Sequence, residues 1–111
     1  MLLFLCYSQI ANVQAMDFDR LASAIYVHEG GAKTRFPYGV ERITRDGKRY
    51  PYNVAKAKEK CLQSINRASK QWYKGGCKGD FIAFLGKTYA QDPNWAKGVK
   101  QLYEHKKINR P

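Results

Sequence analysis

The stretch Phe18-Asp-Arg-Leu-Ala-Ser-Ala-Ile-Tyr-Val-His-Glu-Gly-Gly31 decides how this chain is read. Phe18, Leu21, Ala22 and Ile25 fall at i, i+3, i+4 and i+7, the spacing at which one face of an α-helix is buried. Four residues further on, the same stripe reaches Glu29, so a carboxylate stands where the pattern asks for an apolar side chain. Gly30 and Gly31 follow at once and stop the helix. Partial burial and the negative end of the helix dipole both disfavour a charged carboxylate at that place. A carboxyl so held suits a general acid working near neutral pH. Glu29 is therefore the candidate catalytic residue. The plainer possibility is a solvated Glu in the last turn of a fraying helix.

Beyond Lys33 the apolar spacing changes to short strand-like pieces. Phe36-Pro-Tyr-Gly-Val40 leads into Glu41-Arg-Ile-Thr44, and Arg45-Asp-Gly-Lys48 carries the Asp-Gly of a tight hairpin turn. Arg49-Tyr-Pro-Tyr52 can return as the second strand, with Pro51 restricting it to an edge or a short pairing. Three helices are expected after the hairpin. Asn53 caps one that runs to about Tyr73 with Cys61, Ile65, Ala68 and Trp72 inward and Leu62 beside them, and Lys74-Gly-Gly76 stops it. Asp80 caps the next, which presents Phe81, Ile82, Phe84 and Leu85. Asp92-Pro93 opens the last, whose buried face is Trp95, Val99, Leu102 and Tyr103. Trp72, Phe84 and Trp95 read as core rather than as platforms for a ligand. The expected fold class is α+β, mostly α, in one domain.

A helix ending in Glu29-Gly30-Gly31, then a hairpin, then helices, resembles the start of the lysozyme-like superfamily. The stretch from Phe18 to about Val40 is most similar to lytic transglycosylases and to small phage and bacterial lysozyme-like proteins. In that family the Glu at the helix end is the general acid. Tyr38-Gly39-Val40 resembles the segment that lines the cleft beneath the sugar. The runs Asp80–Ala90 and Asp92–Trp95 look like the second half of the small members, and Tyr89 resembles a tyrosine often found in their clefts. The likeness covers roughly Asp17 to Glu104. It departs from the transglycosylase pattern in placing Gly30-Gly31 directly after the Glu and in lacking the usual Gly-Leu-Met-Gln run. What the resemblance implies is a small lysozyme-like domain that cleaves the β-1,4 bond between the amino sugars of peptidoglycan. Tyr38, Gly39 and Tyr89 would then meet the substrate.

The 111 residues suffice for one domain. Residues 1–15 contain no charged side chain, and Val13-Gln14-Ala15 is similar to a small-residue cleavage site. This reads as a secretory leader lacking its positive beginning; a buried helix is the alternative. The segment is too short and too interrupted by polar residues to span a membrane. The catalytic domain would occupy residues 16–105, with a basic tail at 106–111. Without the leader two cysteines remain, Cys61 and Cys77, and an even pair in an exported chain is expected to form one disulfide. Such a closed loop would stabilise by roughly 3 kcal/mol. His28 and His105 are isolated, so neither a metal site nor a cofactor is expected.

Twenty Lys and Arg against nine Asp and Glu give a net charge of +11, all of it outside residues 1–15. This exceeds what solubility needs and implies a partner of dense negative charge. Export points to an anionic cell envelope, periplasmic or extracellular, and to a monomer acting on glycan strands rather than to a specific nucleic acid. Glu41 and Asp46, both in the hairpin region, are the candidates for a second carboxylate of the kind a hydrolase needs. With neither firmly placed, a transglycosylase that works with Glu29 alone is the favoured expectation, ahead of a lysozyme-type hydrolase. A non-enzymatic cationic module for envelope polymer or nucleic acid also accounts for the charge and the eight tyrosines.

Overall fold

The computed structural model describes residues 16–90 and 92–105. The expected leader and the basic tail lie outside the described residues. Helix α1 spans Phe18–His28, and the Asp17 side chain caps it by accepting from the Arg20 N–H at 3.0 Å. Leu21, Ala22 and Ile25 are fully buried and Phe18 packs at the edge of the core, as the stripe requires. The helix stops one residue before Glu29, which is its C-cap, and Gly30 turns the chain away with φ 110°. That backbone conformation is open to glycine and strained for other residues.

Two short 3₁₀ turns, Gly31–Lys33 and Pro37–Gly39, lead to the hairpin of β1, Glu41–Ile43, and β2, Arg49–Pro51. The strands are antiparallel, with Glu41 opposite Pro51 and Ile43 opposite Arg49. Gly47 supplies the left-handed residue of the turn, φ 80°, and the Asp46 carboxylate accepts from the Lys48 N–H and the Thr44 hydroxyl within it. Ile43 is 65 % exposed, so the hairpin stands out from the core rather than covering it.

Helix α2, Val54–Lys74, is the longest element at 21 residues, about 31 Å. Asn53 caps it, accepting from the Lys56 N–H at 2.8 Å. Its buried face is Ala57, Cys61, Ile65, Ala68 and Trp72. Helix α3, Phe81–Tyr89, is capped by Asp80, and helix α4, Pro93–Glu104, by Asp92. Phe81, Ile82 and Leu85 are buried, whereas Phe84, Leu102 and Tyr103 are half-buried at the core's margin. The architecture is thus mostly helical with one short antiparallel sheet.

Helices α1 and α4 run antiparallel. At one end the Asp17 N–H donates to the Tyr103 hydroxyl, 3.1 Å, and Arg20 lies over the Tyr103 ring and donates to the His105 carbonyl. At the other end Trp95 and Gly98 approach the end of α1. A Cβ on Gly98 would lie 2.6 Å from the His28 ring, and one on Gly86 would lie 3.1 Å from Trp95, so glycines set the closeness of both contacts. Each buried Leu, Ile or Val contributes about 1.5–3 kcal/mol. Leu21, Ile25, Ile65, Leu85 and Val99, all fully buried, form the centre of this core.

The expected disulfide is not formed: Cys61 and Cys77 are both buried and are not bonded to each other. Geometry explains the difference. Cys61 sits within α2, and the Cys77 N–H donates to the Trp72 carbonyl, 3.0 Å, at the far end of that helix. The rise from residue 61 to residue 72 is about 16 Å. A disulfide needs Cα atoms roughly 4.4–6.8 Å apart. The unbroken helix holds the two thiols too far apart to bond.

Burial pushes the Cys61 thiol up from its ordinary 9.0 to about 11. A raised thiol stabilises the fold fully below pH 9. That contribution is lost between pH 9 and about 11, because the unfolded chain's thiol ionises first. Thermal melting should therefore fall more steeply over this window in the wild type than in Cys61→Ala. In the folded protein, without reductant, iodoacetamide should leave Cys61 and Cys77 unmodified, and both should alkylate after unfolding, as peptide mapping reads directly. A recovered Cys61–Cys77 crosslinked peptide would contradict this fold.

Candidate functional site

Glu29 is half-buried at the end of α1, and its position is set by a partner 66 residues away in sequence. The Trp95 indole N–H donates to Glu29 Oε1 at 2.8 Å. Trp95 is 3 % exposed, and a buried indole N–H needs an acceptor. The proline at the start of α4 and the Asp92 cap fix where that helix begins, and Trp95 is presented from its first turn. The His28 ring meets Trp95 edge-on, centroids 6.1 Å apart, and Tyr89 stacks on its face at 5.2 Å. One carboxyl oxygen of Glu29 is therefore held by a rigid aromatic group.

Gly39 closes the other side. A Cβ there would lie 2.9 Å from Glu29 Cδ and 3.1 Å from Oε1, and the residue has φ 70°. Only glycine meets both conditions. Tyr38 before it also has positive φ, 60°, which is rare for a bulky residue and costs energy that the surroundings must supply. Its ring supplies part of it by packing against Tyr26, centroids 5.0 Å apart, with 1 % exposure. Burial pushes the Tyr38 phenol up, reinforced by the neighbouring Cys61. The side chain of Tyr38 is thus placed in the core, while Gly39 after it lies in the groove lining. Its contribution is to carry the backbone that brings Gly39 to Glu29.

A groove of about 340 Å³ opens beside these residues. Its lining comes from Gly39, Val40 and Glu41 after the 3₁₀ turn, from Tyr52, from one face of α2, and from Thr88 and Tyr89 at the end of α3. Glu29 adjoins this groove through its contact residue Gly39 rather than forming its wall. Tyr89 forms part of the wall while its hydroxyl is buried beside the Cys61 thiol and close to Glu29. Desolvation pushes that phenol strongly up, and Cys61 and Glu29 add to it. It stays a neutral hydroxyl, able to donate.

The two hairpin carboxylates are separated by the structure. Glu41 is in the groove lining, with its carboxylate 3.0 Å from the Arg49 guanidinium. Asp46 is exposed at the hairpin tip, its carboxylate engaged by Thr44 and Lys48 and held below the usual carboxylate range by the Thr44 hydroxyl first and the Lys48 N–H next. Asp46 is no part of the groove. Trp95 is the residue that sequence reasoning assigned only to the core. Its need for a buried acceptor was the available signal, but no spacing rule links it to Glu29. Among the described residues no three His, Cys, Asp or Glu side chains gather where they could share a metal ion.

The arrangement offers one carboxyl with an oxygen fixed by Trp95, adjoining through Gly39 a groove with polar and aromatic walls. No family model, curated protein or solved structure matches this chain.

Replacing Gly39 with Ala should displace the Glu29 carboxyl and strain the turn. The left-handed conformation and the overlap together should cost about 1–3 kcal/mol, read as a lower denaturation midpoint. Wild-type stability in Gly39→Ala would show that the turn does not press on Glu29.

Proposed function

We propose that this protein is a lysozyme-like glycosidase of peptidoglycan, acting as a lytic transglycosylase with Glu29 as its acid and base. The observation that carries the reading is the Glu29 carboxyl at a helix end, pinned by the Trp95 N–H and backed by Gly39 at the edge of a groove. A single placed carboxyl can perform the whole reaction. It first gives its proton to the glycosidic oxygen as the bond from that oxygen to C1 breaks, while the substrate's acetamido group supports the positive charge growing at C1. The carboxylate then takes the proton of the C6 hydroxyl, and O6 bonds to C1. A 1,6-anhydro ring results, and no water enters. The net charge of +11 suits an exported protein working at an anionic envelope.

Glu41 supports a second reading, a hydrolase of the lysozyme type, because it lines the same groove. There it would position water or sustain the charged centre, and the product would carry a reducing end.

Glu29→Gln keeps the shape and the Trp95 acceptor but has no proton to give. It should lower release of soluble fragments from purified peptidoglycan by about 10²- to 10⁴-fold with little change in melting temperature. Mass spectrometry of the wild-type products should find anhydro ends, lighter than reducing ends by one water. Near-normal activity in Glu29→Gln would end the assignment. Reducing ends alone, lost in Glu41→Gln, would replace the transglycosylase by the hydrolase.

A further inference from the structure

The groove beside Glu29 has a wall that the proposed reaction does not use. Helix α2 contributes Lys60, Gln63, Ser64 and Arg67 to the lining. Their spacing of i, i+3, i+4 and i+7 puts all four on one helical face. Lys60 and Arg67 stand about 10 Å apart along the axis, so each can meet its own partner. None of the ion pairs among the described residues includes either of them. The lining acid, Glu41, is already engaged by Arg49. Lys60 is half-buried in this lining. Tyr52 joins this groove to a second hollow of about 290 Å³ lined by Arg42, Asn53 and Lys56, and the cationic lining continues into it.

A neutral glycan has nothing to offer two uncompensated cations. A nucleic acid would meet them, but its closely spaced phosphates would also pass Glu41 and the carboxyl of Glu29. A glycan with sparse carboxylates fits both signs. We propose that this groove selects glycan strands whose side groups carry free carboxylates, with Lys60 and Arg67 as the wall that recognises them. The inference rests on the glycosidase reading for its glycan and on the groove alone for its anion. Tyr52 and Tyr89 supply the aromatic surface against which sugar faces pack.

The test uses the full chain carrying Glu29→Gln, which binds without turnover, and two probes. One is the disaccharide N-acetylglucosaminyl–N-acetylmuramyl bearing a tripeptide with free carboxyls; the other is the same molecule with every carboxyl amidated. Calorimetry should find the free-acid form bound about three- to tenfold more tightly, as two partly exposed charge contacts allow. The preference should shrink as salt rises. Adding Lys60→Gln and Arg67→Gln should bring the ratio of the two affinities toward one. Because that ratio is measured within a single protein sample, it is insensitive to a small unfolded fraction. Equal binding of the two probes, or binding of neither, overturns the proposal, as does a preference that survives in the Lys60/Arg67 variant. Tighter binding of a single-stranded oligonucleotide than of the free-acid probe overturns it in favour of a general polyanion site. A wild-type protein that cleaves no peptidoglycan yet shows the Lys60- and Arg67-dependent preference removes the glycosidase reading and leaves the anion site standing.

Discussion

The hydrogen bond from the Trp95 indole to Glu29 joins the end of α1 to the beginning of α4, and the candidate site is arranged around it. Removing either partner would leave a buried donor or a partly buried carboxylate without its mate, a cost of about 1–3 kcal/mol. The contact also transmits order. Trp95 reaches Glu29 only because Gly86 lets α3 approach the indole and Gly98 makes room for His28. Tyr89 stacks on the same ring and carries the groove wall with it. A helix terminus, which would otherwise fray, is tied down from three directions.

The helices were legible because each carries its own punctuation. Asn53, Asp80 and Asp92 cap as expected, and the stripes Cys61–Ile65–Ala68–Trp72 and Trp95–Val99 are buried. These are local signals with a period of 3.6 residues, and one sequence suffices to read them. The hairpin was legible from Asp46-Gly47, although its strands proved only three residues long. Relations across the chain were not legible. The cysteine pair was read by parity and compartment, and the rigid length of α2 keeps the thiols apart. The left-handed backbone at Tyr38 and the packing of its ring on Tyr26 have no local signal in the sequence. At the site, the placement of Glu29 at a helix end followed from its stripe, and the partner that holds it did not.

Part of the positive charge of the chain lies along the groove. Lys56, Lys60 and Arg67 line the two adjoining hollows along α2, and Arg42 joins them from the hairpin. Other cations are committed to structure: Lys58 reaches Asp19 on α1 at 3.4 Å, and Lys100 reaches Asp80 at 3.5 Å. Pairs this exposed contribute about 0–1 kcal/mol each, so they orient elements more than they stabilise them. Lys56 pairs with Glu59 at 3.5 Å, whereas Lys60 and Arg67 enter no ion pair among the described residues. A field of that sign concentrates an anionic polymer near Glu29 before any specific contact forms.

How many carboxylates the chemistry uses turns on how firmly each is held. Two-carboxylate hydrolysis tolerates only a narrow separation, about 5–5.5 Å for a retaining enzyme or 6.5–9.5 Å for an inverting one. Positions of that accuracy need side chains locked by packing and by a supporting layer of contacts. Glu29 has such support in Trp95 and Gly39. Glu41 sits at the start of a three-residue strand in an isolated two-stranded sheet, an element of marginal stability by itself, and its partner Arg49 is on the neighbouring strand of the same hairpin. The Glu41–Arg49 pair therefore moves with the hairpin and fixes nothing relative to α1. In the proposed reaction the burden falls on the one carboxyl that the core positions, and the substrate's own acetamido and C6 hydroxyl groups, already at the reacting carbon, take the place of the second.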